Sequence, residues 1–202
     1  MIDYNAVYNK FTSIAQEQAG TNLSRGGALG TEPNVIRAFP NAPKPDYPYI
    51  TVDIQDVTEE QTWELNRYIN EDDHTVHENI KTLMVLYTCY GGEAKSENTV
   101  RALHIIDQLH GSFMFDSVRE DIRSTLNGSV VRTTSIERIP VRLADKFIEA
   151  AAFSILFNVV DVREDINSFT IETVDLEGDL HSLQGDVESD PVTININITN
   201  QP

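Results

Sequence analysis

The stretch Ile80-Lys81-Thr82-Leu83-Met84-Val85-Leu86-Tyr87-Thr88-Cys89-Tyr90 decides the fold class. In an extended chain, successive side chains point to opposite faces. Leu83, Val85 and Tyr87 therefore share one side, with Met84 and Leu86 on the other. Apolar residues on both sides predict a central strand covered on both faces, ended by Gly91 and Gly92. Such a strand needs neighbours. Residues 49–57 supply one, because Ile50, Val52 and Ile54 alternate with Thr51, Asp53 and Gln55. Residues 147–162 supply another. Ala150 to Ala152 favour helix there, but Phe153, Ile155, Phe157, Val159 and Val160 favour a long strand, which is the reading adopted.

Helices flank these strands. Tyr4, Val7, Tyr8, Phe11, Ile14 and Ala15 form one helical stripe over residues 3–18, with Asp3 as N-cap and Gly20 as the stop. Ser96 is placed to cap a helix that turns Val100, Ala102, Leu103, Ile106 and Leu109 inward before Gly111, leaving Arg101, His104 and Asp107 outside. A second short helix, 117–126, is expected to bury Val118 and Ile122 beneath Phe113 and Phe115. Asn127-Gly128 then turns the chain into a strand over 129–134.

The remaining segments read as connections and arms. Residues 21–34 form a loop into a short strand at 35–39, and Pro40, Pro43, Pro45 and Pro48 keep the following chain extended. Residues 56–78 hold eight carboxylates and one arginine around Trp63, Leu65, Tyr68 and Ile69, and read as a strand or a long hairpin arm. Residues 167–176 suggest a further strand. Near the end, Val192, Ile194, Ile196 and Ile198 alternate with Thr193, Asn195, Asn197 and Thr199, a pattern that needs a sheet edge to join. The fold class is therefore α+β: a mixed or antiparallel sheet flanked by an N-terminal helix and two central helices, with an acidic hairpin or loop and a C-terminal β arm. Residues 1–176 form the α+β domain and 177–202 an extension.

Composition narrows the function. Hydrophobic residues at 40% and charged residues at 23% are those of a folding globular chain. Acidic residues outnumber basic ones 32 to 15, for a formal charge of −17, so a tight DNA-binding role is excluded and a nonspecific grip on phosphate backbones would need a strongly segregated basic patch. A surface past which DNA slides without sticking is compatible with this charge. Cys89, the single cysteine, lies in an apolar run and reads as a buried small hydrophobe. Residues 1–20 lack a leader's basic start and apolar core, and no stretch approaches the ~20 apolar residues that span a bilayer. Cytosol-like conditions are expected, with the sequons at Asn22, Asn127 and Asn197 chance matches.

Chemistry-bearing patterns are weak. His74 and His77 beside Asp72, Asp73 and Glu78 are the nearest approach to a metal cluster, but read as a solvated acidic loop. Residues 25–30 lack the Gly-Lys-Ser/Thr that a phosphate cradle needs. No catalytic residue, cofactor site or metal site is assigned. Arg119, Arg123, Arg132, Arg138, Arg142 and Lys146 concentrate basic charge between 119 and 146; either an acidic 56–78 face on one copy meets this segment on the next, or these are scattered surface arginines. Trp63, Tyr68, Arg138, Arg142, Ile194, Ile196 and Ile198 are the interface candidates.

The order of these elements, opened by Asp46-Tyr47-Pro48-Tyr49-Ile50 and including Asp145-Lys146-Phe147-Ile148-Glu149 at the start of the long strand, resembles the tail terminator, or neck terminator, proteins of long-tailed bacteriophages. The resemblance covers roughly residues 1–175. It implies a structural virion protein, not an enzyme, assembled in the bacterial host cytoplasm. Such a protein forms a six-membered ring, caps the tail tube, stops its polymerisation and presents a docking face to neck and head. Its implied partners are copies of itself, tail tube protein, neck and connector proteins and a sheath where there is one, with DNA passing the lumen unbound. A head-completion or minor tail protein is the alternative, and a small metal-dependent enzyme using Asp72, Asp73, His74 and His77 a remoter one.

Overall fold

The computed structural model describes residues 1–26, 31–38, 45–56, 64–72, 74–93, 101–139, 141–143 and 146–165. Helix α1 (Tyr4–Ala19) opens the chain. Asp3 Oδ1 accepts from the backbone N–H of Asn5 at 2.9 Å and of Ala6 at 3.1 Å, satisfying donors the first turn leaves open. At Gly20 the helix tightens into a 3₁₀ turn (Gly20–Asn22). A Cβ there would lie 2.7 Å from Pro33 Cγ, so close approach as well as helix ending calls for glycine. Strands β1 (Arg25–Gly26) and β2 (Glu32–Pro33) make a small antiparallel ribbon, where a plain loop was expected.

The main sheet follows: β3 (Val35–Arg37), β4 (Tyr49–Asp56), β5 (Glu64–Ile69) and β6 (Thr75–Glu93), then α2 (Arg101–Ser112), α3 (Asp116–Leu126), β7 (Gly128–Thr133), β8 (Glu137–Arg138), β9 (Val141–Leu143) and β10 (Lys146–Asp165). Its order is β3-β4-β6-β10-β7, with β8 and β9 also on β10 and β5 on β6. β3 runs parallel to β4, while β4 on β6 and β7, β8 and β9 on β10 are antiparallel. The class is α+β with a mixed, largely antiparallel sheet, as the alternation patterns predict.

One compact unit comprises Met1–Leu65 and Glu78–Val162. Its core lies on the face of the sheet that meets the helices. Ile50 and Val52 of β4, Leu83, Val85, Tyr87 and Cys89 of β6, and Ala151, Phe153, Ile155 and Phe157 of β10 pack with Phe11 of α1, Ile105, Ile106 and Leu109 of α2, and Val118 and Ile122 of α3. Aromatic rings form its centre: Phe11 and Phe157 meet edge to face at 5.4 Å, and Tyr87 stacks on Phe153 at 5.3 Å. The buried Tyr87 hydroxyl donates to the Phe11 carbonyl at 2.8 Å, so burying the phenol leaves no lost hydrogen bond.

The other unit comprises Asn66–His77 and Arg163–Pro202. Among its described residues, the Asn70 side-chain oxygen accepts from the backbone N–H of Asp72 at 3.0 Å and of His74 at 2.9 Å, closing the turn between β5 and β6. Within the acidic stretch, therefore, residues 64–78 contain two strands and a turn, while 57–63 and 73 lie outside the described residues.

Several expectations need correction. The central strand is longer than 80–90, and one face only is fully buried; Met84 and Leu86 on the other are half-buried. The reason is that the described helices cover a single side of the sheet. Gly91 and Gly92 fall inside β6, with Gly92 at φ +109°. Helix α2 runs past Gly111 to Ser112, and Ile105 is buried where Leu103 is only half-buried. Phe115 is exposed, because it occupies the extended N-cap position of α3 instead of the position over Val118 and Ile122. Ser96, Val100, the 167–176 strand and the 192–199 strand lie outside the described residues.

Candidate assembly surfaces

The line β7-β8-β9 follows β10 along one edge of the sheet. Ile155 pairs with Thr133, Ala151 with Arg138 and Phe147 with Arg142, so three short strands share one long partner. The extra residue Val131, between the pairs Phe157↔Val130 and Leu156↔Arg132, makes a bulge. Gly128 begins this edge because nothing larger fits: a Cβ would lie 2.4 Å from Phe157 Cζ and 2.5 Å from the Asn158 carbonyl. Just before it, Asn127 takes the left-handed conformation (φ +48°), and its N–H donates to Arg123 O at 3.1 Å to end α3. Arg132, Arg138 and Arg142 are all exposed on this edge. So are the apolar Val131, Ile139 and Phe147.

The hairpin formed by β5 and the start of β6 carries the opposite charge. Glu71 and Asp72 are exposed at its turn, beside exposed Tyr68 and Ile69. In the same unit, Glu164 Oε1 lies 2.8 Å from His74 Nδ1 and accepts from Asn70 Nδ2 at 2.5 Å. These bonds hold the Glu164 carboxyl below the ordinary glutamate range, with His74 the larger cause and Asn70 the next.

A third feature fixes the Tyr-Pro-Tyr segment at the entry to β4. Ser24 Oγ donates to Pro48 O at 2.8 Å and accepts from Asn34 Nδ2 at 2.8 Å, while Ile50 N–H donates to Asn34 O at 3.0 Å. The Tyr47-Pro48 bond is cis. Tyr47 stacks on Tyr49 at 5.6 Å, and Tyr49 on Tyr90 at 5.0 Å. Burial, reinforced by the phenols of Tyr47 and Tyr90, raises the Tyr49 pKa, so the Tyr49 ring serves packing.

Of the predicted interface residues, Arg138 and Arg142 are brought onto one edge, and Tyr68 is exposed in the other unit. Trp63, Ile194, Ile196 and Ile198 lie outside the described residues. Sequence reasoning missed Ile139 and Phe147 as surface residues; the signal was their position beside short, charge-rich strands. It also missed Glu149, a buried carboxylate whose Oε2 accepts from Ala102 N–H at 3.2 Å. Cys89 is fully buried, as read from its apolar run. Among the described residues, no three His, Cys, Asp or Glu side chains come together to hold a metal ion, and no helix is long and apolar enough to cross a membrane.

Residues 19–185 match the family described as phage neck terminator protein. The curated proteins gave no match. The matched span includes β3, β4, β6 and β10, both central helices and the two charged surfaces, so the likeness extends through the fold and is not confined to one motif. The chain belongs to the phage neck terminator family, whose members are structural proteins of the phage tail and neck.

Proposed function

We propose that the chain forms a closed ring on the end of the tail tube, stops tube polymerisation there and presents the surface on which neck and head are joined. The family match over residues 19–185 carries this reading. The formal charge of −17 supports it independently, since a ring around a DNA channel must repel phosphate rather than bind it. Residues 1–176 act as the ring-forming domain, with 177–202 as an extension. Tail tube protein and neck or connector proteins are the partners on the two faces of the ring, and the ring is assembled in the host cytoplasm.

The test is tube growth in vitro. Tail tube protein is polymerised with and without the purified chain at a small molar fraction, and lengths are measured by electron microscopy. Termination predicts that added chain shortens the tubes and makes growth plateau early. Length distributions unchanged at every ratio would refute the proposal.

A further inference from the structure

We infer that copies of this chain meet head to tail, the β5–β6 hairpin of one seated on the β8–β9 edge of the next. The inference rests on the proposed self-assembly and names its contact. On the edge, Arg138 and Arg142 pair with Ala151 and Phe147, four residues apart on β10, and so point to the same face. Phe147, opposite Arg142 and on that same face, is 60% exposed. A basic pair around an exposed aromatic ring has the composition of an interface hot spot.

The hairpin is its complement. Tyr68 is 42% exposed, with Ile69 on the other face of β5, and Glu71 and Asp72 follow at the turn, both exposed. Apolar surface can thus cover apolar surface while carboxylates meet guanidiniums, which pair with carboxylates in a planar, two-pronged geometry. Glu137 and Arg67 carry the minority sign on each surface, so the majority positions are the ones to test. Side chains rather than strand addition make this contact, because β8 and β9 are two and three residues long and Pro140 stands between them. Because the two surfaces differ, the contact is heterologous, and such a contact closes a ring when its rotation permits.

The test is solution mass by light scattering on the full chain at low salt, with thermal melts to verify folding. The wild-type chain should be oligomeric. R138E/R142E and E71R/D72R should each weaken association by at least about a hundredfold, since like charges then face one another. The variant with all four substitutions should regain the wild-type mass, because the charges are exchanged across the contact. Double variants that keep the wild-type mass would overturn the contact while leaving the ring reading intact. A fourfold variant that stays dissociated would show that these surfaces do not face one another. A wild-type chain that is monomeric throughout would remove the self-assembly and this contact with it.

Discussion

Glu149 on β10 holds the backbone N–H of Ala102 in α2 at 3.2 Å, across 47 positions of sequence. The bond ties the first described turn of α2 to the sheet. Glu149→Ala removes the acceptor and leaves that N–H buried without it, at an expected cost of about 1–3 kcal/mol. Glu149→Gln keeps an acceptor oxygen and should cost less. Thermal or urea melts of the two variants check the order; equal stability of Glu149→Ala and wild type would contradict it.

Cys89 lies on the same side of the sheet. Burial, then the negative Glu149, push its thiol up to about 12, with Arg101 pulling the other way. The folded state therefore holds the thiol proton more tightly than the unfolded chain does. This contribution to stability is complete below about 9 and is lost as pH rises toward 12. A thiol reagent at mildly alkaline pH should leave the native protein unlabelled and label it promptly in urea. Fast labelling of the native protein would contradict the burial.

The Glu164 carboxyl makes the opposite prediction. Its folded pKa is lowered by the bonds from His74 and Asn70, so its contribution is present above the ordinary glutamate value and lost as pH falls through the lowered one. In a carbon-detected titration, Glu164 should ionise at lower pH than an ordinary glutamate, and His74→Ala should move that midpoint upward. An identical midpoint in both proteins would show that the contact contributes nothing.

Gly128→Ala tests the start of the β7 edge. The added Cβ would lie 2.4 Å from Phe157 Cζ and 2.5 Å from Asn158 O, and one of these is backbone. Overpacking of this kind costs about 1–3 kcal/mol or more, which a denaturant midpoint would register. A variant as stable as wild type would mean that β7 can move away from β10 freely.

The regular elements were legible because their periods are simple. Ile50, Val52 and Ile54 state a strand, and Val7, Phe11, Ile14 and Ala15 state a helix face, before any contact is known. What alternation could not tell was whether an apolar row is covered by the chain's own helices. Met84 and Leu86 are as apolar as Leu83 and Val85, yet only the latter pair lies beneath helices. Glu149 was illegible for a related reason: a carboxylate on a core face makes sense only when the α2 amide facing it is in view. Arg138 and Arg142 were recognised as basic residues, but their common face depends on the register with Ala151 and Phe147, which spacing alone does not set.

The ring on the tube end is the central claim, and electron microscopy of assembled tubes mixed with the chain tests it most directly. Tubes should carry one ring-shaped cap at a single end, with none along their length. Chain bound along the tube sides, or tubes with both ends bare at saturating chain, would contradict it.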